Sequence, residues 1–143
     1  ARLDYLQLHG QETPEQVGKL KDLLGIPIIK SIGIQEKSDL EQVKEFEDTC
    51  DQLLIDTKAS TSMKLPGGNG IVFDWGLVSD FHFECPWLLA GGLTSKNVIK
   101  AIRISGANQV DVSSGIEKKF GVKDPKKMSE FIEVVKNDGK SRK

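Results

Sequence analysis

No stretch of the 143-residue chain approaches the ~18 consecutive apolar residues of a membrane span. No charged and then apolar leader opens it, which argues against a secretory signal. Cysteine is scarce: Cys50 and Cys85 show neither a C-x-x-C pattern nor metal-ligand spacing. That argues against a disulfide framework or a zinc site, and a reduced, cytoplasmic setting is the default. There is no basic stripe with interleaved aromatics, and the net charge is only −1, so nucleic acid is a poor partner. G-x-G-x-x-G is missing too, which counts against a dinucleotide site. A chain of this size forms one domain, or part of one, and can bury roughly two-thirds of its unfolded surface.

What is present is a strand–helix alternation. β-rich or apolar runs occur at Asp4–Gly10, Ile26–Gly33, Gln52–Thr57, Pro86–Gly92 and Asn108–Gly115. Between them lie helical patterns with start and stop signals. Thr13, Pro14 and Gln16 form a capping box with proline at the first helical position. Val17, Leu20, Leu23 and Leu24 then share a face, and Gly25 stops the helix. Ser38, with Glu41 three residues on, starts a helix whose buried stripe is Leu40, Val43 and Phe46. Thr94 caps a helix ended by Gly106; Asp124 and Pro125 open the last one. The stretch from Lys58 to Val72 is too long for a plain connector and reads as a lid, followed by a short helix at Trp75–Ser79. Phe73 and Trp75 would anchor that helix. Residues 1–137 form the domain, and a polar tail of residues 138–143 is expected to be frayed.

Continuous apolar strands alternating with helices imply an α/β fold with a parallel sheet covered by helices. An open doubly wound sheet and a (βα)8 barrel both fit. Polar residues and glycines cluster at the C-terminal ends of the strands, where barrel enzymes place their chemistry, and the last two turns are where barrels bind phosphate.

The candidate residues follow from that placement. Gly91 and Gly92, ahead of a helix start, would offer main-chain N–H groups to an anion, and Ser113, Ser114 and Gly115 would form a second such turn. Ordinary turn chemistry is the competing explanation for each turn alone. Asp56 ends the apolar strand LLID, where partial desolvation would raise its pKa toward that of a working acid; a helix-cap or loop-anchoring role competes, and the long loop that follows favours the acid. Asp111 has two competing roles: holding a substrate hydroxyl or satisfying a buried network. Gln7 and His9 alternate toward the same side of their strand as candidate substrate contacts, although a lone strand histidine is more often a satisfied structural residue. Cys50 and Cys85 precede strands and belong at the opposite, stability face.

The segments LQLHG, IKSIG, LLIDT, PGGNGIVFDW, LLAGGLTSKNV and VDVSSGIE…GVKD stand in the order and spacing of phosphoribosylanthranilate isomerases. The chain resembles that family from about Leu3 to Val135. The resemblance implies a (βα)8 barrel of tryptophan biosynthesis. Such an enzyme converts N-(5'-phosphoribosyl)anthranilate into its aminoketose isomer by an Amadori rearrangement, without metal or organic cofactor. It implies Asp56 as the general acid at the furanose ring oxygen and Asp111 as a ligand of a sugar hydroxyl. Gly91, Gly92, Ser113 and Ser114 would hold the phosphate, with Gln7 and His9 lining the substrate site. The family's K-x-C-G motif, whose cysteine is the general base, has no counterpart here, nor does its loop arginine for the anthranilate carboxylate. The chain opens on Ala1, almost directly in a strand. The expectation is therefore an incomplete barrel of about five βα units, matching the family's fourth to eighth, inactive alone and able to self-associate through open sheet edges. The alternative is a non-catalytic phosphate-binding or folding module that pairs with itself or with a complementary fragment. A histidine-pathway Amadori isomerase is a weaker fit, because that family uses an aspartate pair on its first and fifth strands.

Overall fold

A computed structural model describes residues 2–57 and 74–141. The lid reading of Lys58–Val72 and the anchoring role of Phe73 lie outside the described residues. The elements run β1 (Leu6–Leu8), α1 (Pro14–Leu24), β2 (Ile28–Ile34), α2 (Leu40–Phe46), β3 (Gln52–Thr57), β4 (Trp87–Ala90) and α3 (Val98–Ser105). A short antiparallel hairpin, β5 (Glu117–Lys119) and β6 (Val122–Lys123), follows, and then α4 (Pro125–Ser141). Strands β1 to β4 form one parallel sheet in sequential order.

Sequential order decides between the two architectures. Each crossover steps in the same direction, and right-handed crossovers then put every connecting helix on one face. The packing agrees: Val17 of α1 and Val43 and Phe46 of α2 join Ile28, Ile32 and Ile34 of β2 and Leu53 and Ile55 of β3 in one core. A doubly wound sheet would reverse its order and cover both faces. The second core joins Leu89 of β4, Val98, Ala101 and Ile102 of α3, Phe131 of α4 and Trp75. Because side chains alternate along a strand, the residues between those core positions point to the opposite, concave face. Among them are Gln7, Ser31, Leu54 and Asp56. Low on that face Gln52 donates to Gln109 at 3.0 Å, a contact that skips over β4 as the stacked layers inside barrels do.

Several local expectations hold in detail. Thr13 and Gln16 form a reciprocal capping box, Pro14 opens α1, and Gly25 closes it at φ 60°. Asp124 accepts from the N–H of Lys126 at 2.9 Å at the start of α4. Others are corrected. The strand expected at Asn108–Gly115 is reduced to a single bridge, Val110 with Leu89. Its two bonds are Leu89 N–H to Gln109 O at 3.0 Å and Asp111 N–H to Leu89 O at 2.8 Å. Among the described residues it is paired on one side only, and beyond Asp111 the chain turns into a 3-10 turn at Ser114–Ile116. β1 is shorter than Asp4–Gly10 for the same reason: among the described residues it pairs only with β2.

Ser38 does not cap α2. A 3-10 turn at Lys37–Asp39 precedes the helix, and the Asp39 carboxylate takes the N–H groups of Gln35 (2.7 Å) and Glu36 (3.1 Å) instead. The expected Trp75–Ser79 helix is a 3-10 turn, Trp75–Val78, with Asp74 accepting from Gly76 N–H. Leu23 is 79% exposed and Leu24 44%, because α1 lies over the outermost strand and its last turn has no sheet beneath it. Finally, α4 continues through residue 137, the expected domain limit, to Ser141. Asp138 accepts from Arg103 at 3.1 Å and ties that last turn to α3.

Candidate functional site

The C-terminal ends of β1, β3 and β4 and the turn after Val110 converge on one cavity of about 330 Å³. Every residue singled out from the sequence lines it: Gln7, His9, Asp56, Gly91, Gly92, Asp111, Ser113 and Ser114. Ser31 and Leu54 complete the floor, two residues the sequence pattern did not mark. Asp56 is half-buried, and its register partners are Gly33 on one side and Ala90 on the other. Both neighbours are small, and Asp56 lines the cavity. Gln7, His9, Asp111, Ser113 and Ser114 are exposed at the rim.

The glycines are demanded by geometry as well as by any ligand. Gly91 has φ 97°, and a Cβ placed there would lie 2.1 Å from the Thr57 carbonyl oxygen. Gly92 also has positive φ, 56°. Thr57 is fully buried and donates from its hydroxyl to Ala90 O at 3.1 Å, so the ends of β3 and β4 are locked together just behind the turn. A Cβ on Gly115 would lie 1.8 Å from Leu93 O. The two glycine-rich turns are thus in direct backbone contact, which is the arrangement needed to share one anion.

Thr94 is not the cap of α3, which begins only at Val98. Asn97 organises the turn instead: its Oδ1 accepts from Thr94 N–H at 2.7 Å and its Nδ2 donates to Gly92 O at 3.0 Å. Its acceptor and donor sit on separate atoms, so the one side chain reaches two backbone groups, three and five residues back along the chain.

Two charged groups beside the site escaped sequence reasoning. Lys123 donates to Ser113 O (2.9 Å), Ser113 Oγ (3.1 Å) and Glu117 Oε1 (2.9 Å). The Lys123 hydrogen bond, together with Gly121 N–H on the other oxygen, holds the Glu117 carboxyl below its usual range. Both residues lie within the VDVSSGIE…GVKD segment, so motif position was the available signal. The other group is Lys30, buried on the helix-facing side of β2. It donates to Gly10 O at 2.9 Å and Glu12 Oε2 at 2.7 Å, with its ammonium 5.3 Å from the Phe46 ring centre. The Lys30 bond holds the Glu12 carboxyl below its ordinary pKa. A lysine inside the apolar run IIKSI was the sequence clue. This pair borders a second cavity of about 740 Å³, which shares His9, Ser31 and Asp56 with the first.

The thiols lie elsewhere. Cys50 and Cys85 are both free and precede β3 and β4, at the opposite ends of the strands. Burial pushes the Cys50 thiol up, and burial with the neighbouring Cys50 and Glu47 pushes Cys85 up to about 12. Among the described residues no three His, Cys, Asp or Glu side chains are grouped to hold a metal ion. No helix among them is long and apolar enough to cross a membrane.

A family model described as N-(5'phosphoribosyl)anthranilate (PRA) isomerase matches residues 1–134. An N-(5'-phosphoribosyl)anthranilate isomerase of Cereibacter sphaeroides is 48% identical over 134 residues, covering 94% of this chain and 63% of that protein. One from a Ruegeria species is 49% identical, covering 93% and 62%. Among solved structures, phosphoribosyl anthranilate isomerase from Thermotoga maritima superposes with a TM-score of 0.76 at 34% identity, covering 94% of this chain and 62% of that one. Another, solved in complex with reduced 1-(o-carboxyphenylamino)-1-deoxyribulose 5-phosphate, gives 0.75 at 31% identity, covering 94% and 60%. The chain therefore spans less than two-thirds of the length of these relatives. Sequence and backbone agree over nearly all of what it does span, and on that agreement the chain belongs to the N-(5'-phosphoribosyl)anthranilate isomerase family.

Proposed function

We propose that this chain carries the phosphate-binding and acid-catalytic part of an isomerase acting on N-(5'-phosphoribosyl)anthranilate. The observation that carries the proposal is the single cavity joining Asp56 to the Gly91–Gly92 and Ser113–Ser114 turns. The phosphate would sit on the two contacting turns, where backbone N–H groups and serine hydroxyls can surround it. The sugar would then extend across the cavity toward Asp56, with Asp111 holding a hydroxyl and Gln7 and His9 at the far rim. Asp56 would donate its proton to the furanose ring oxygen as the C1–O bond breaks and the amine nitrogen's electron pair forms a C1=N bond. Loss of the C2 proton then gives the enolamine, which tautomerises to the aminoketose.

That second step needs a base. The family's K-x-C-G motif is absent from the 143 residues, and both thiols face away from the cavity. On this reading the chain corresponds to the fourth to eighth units of the family's barrel and is inactive alone, while it binds phosphate weakly. Its outer edges would be covered by a complementary segment or by a second copy. The position of the thiols also favours the alternative, a module that binds phosphate and catalyses nothing.

Titration with inorganic phosphate tests the site first. The amide resonances of Gly91, Gly92, Ser113 and Ser114 should shift together and saturate; no shift there removes the reading. Turnover is then measured with and without a separately supplied segment bearing K-x-C-G. Restored turnover, abolished by D56N with phosphate binding intact, supports the isomerase. Binding without restorable turnover supports the module.

A further inference from the structure

We propose that Lys123 is a positioning residue for phosphate: it orients Ser113 as an anion donor without touching the anion itself. The inference rests on the phosphate site proposed above and names a part of it. An ammonium has three protons to donate, and Lys123 uses all three, two on Ser113 and one on Glu117. None is left for a ligand. The bond to Ser113 Oγ fills an acceptor site on that oxygen, so the hydroxyl's own proton must turn away from the ammonium, and Ser113 lines the cavity. The bond to Ser113 O fixes the peptide that leads into Ser114. Without that bond the hydroxyl rotor is not fixed in advance and must be ordered by the ligand. The ammonium also places positive charge behind the donor, where it attracts an anion across the serine.

Glu117 is the opposing group. It accepts from Lys123 and from Gly121 N–H at 3.1 Å, closing the β5–β6 hairpin. Lys127 of α4 donates to the Glu117 carbonyl at 2.6 Å, and Lys118, Lys119 and Lys123 lie on the hairpin itself, so this one carboxylate stands among four cations. If Lys123 and Glu117 served only to hold the hairpin, removing either would loosen the Ser113 turn and weaken phosphate equally. If Lys123 prepares Ser113, the two removals act in opposite directions, because Glu117 partly cancels the charge that attracts the anion.

The test is inorganic phosphate titrated against the whole chain, read at the Ser113 and Ser114 amides, for wild type, K123M, K123R and E117Q. The expected result is binding weakened at least fivefold in K123M, weakened less in K123R, and unchanged or up to threefold tighter in E117Q. K123M equal to wild type overturns the proposal while leaving the phosphate site standing. Equal weakening in K123M and E117Q also overturns it, as a hairpin effect. No wild-type binding overturns it together with the site. Should K123M fail to fold, K123R and E117Q decide: E117Q binding no weaker than wild type supports the proposal, and weaker binding overturns it.

Discussion

Gly91 and Gly121 both hold a positive φ, but only at Gly91 does a side chain also meet solid backbone. The difference separates two costs. A left-handed conformation alone costs an alanine about 1–2 kcal/mol, which is what G121A should lose in a urea titration, since nothing lies within 4 Å of its Cβ position. G91A should lose distinctly more, because the Thr57 carbonyl must also move. Equal losses would mean the contact relaxes freely. Lys30 gives the second residue-scale case. Its side chain is 4% exposed and that of Glu12 25%. E12Q leaves a buried ammonium with weakened partners and should cost about 2–3 kcal/mol, below a fully buried pair because water reaches Glu12. K30M should cost under about 1.5 kcal/mol, since an apolar side chain of similar length suits the Phe46 side of the core. The pH dependence follows from the lowered Glu12 pKa. A carboxyl depressed in the folded state stabilises it above the unfolded value, near 4.3, and loses that contribution as pH falls through the folded value. Acid titration of stability should therefore be shallower in K30M than in wild type below about pH 4.3.

At the scale of elements, local chemistry was legible where it was self-contained. Thr13, Pro14, Gln16 and Gly25 form a start and stop signal that needs no partner from elsewhere, and the helix follows it. T13A should remove about 1 kcal/mol from stability. The strands β2 and β3 were legible because β-branched and other apolar residues dominate them, and their helix-facing positions Ile28, Ile32, Ile34, Leu53 and Ile55 are buried. The failures share one cause: each depended on what lies next to the element. Asn108–Gly115 has strand character, yet it pairs on one side only among the described residues and shrinks to the Val110 bridge. Leu23 matches the helical stripe, but no strand lies beneath it. Thr94 and Ser38 were plausible caps that lost to Asn97 and Asp39, whose longer or charged side chains satisfy two loop groups each. The eight site residues were readable because strand ends collect chemistry in this architecture. Lys30 and Lys123 were not, because their partners, backbone and side chain alike, lie on other elements and are brought together only by the tertiary fold.

For the whole molecule, the polarity of the sheet separates chemistry from stability. The two glycine-rich turns and Asp56 lie at one end; the two thiols lie at the other, with pKa values raised. At pH 8 a thiol of pKa about 12 should be alkylated roughly 10³-fold more slowly in the folded chain than in urea, where its pKa is near 8.5. Fast alkylation of native Cys85 would place a reactive thiol where the packing allows none. The other whole-molecule consequence concerns β1. Its outer side carries no partner strand among the described residues, and Leu3 and Tyr5, just before it, are 53% and 52% exposed. An open parallel edge flanked by apolar side chains is a template for another chain. Sedimentation of the purified chain should show concentration-dependent association, and Y5K, placing a charge at that edge, should suppress it without lowering the unfolding midpoint. If association persists unchanged in Y5K, the contact lies elsewhere. Leu23 and Leu24 on α1, and Ile104, Met128 and Ile132 on α3 and α4, are then the next positions to charge, since large apolar side chains stand exposed there as well.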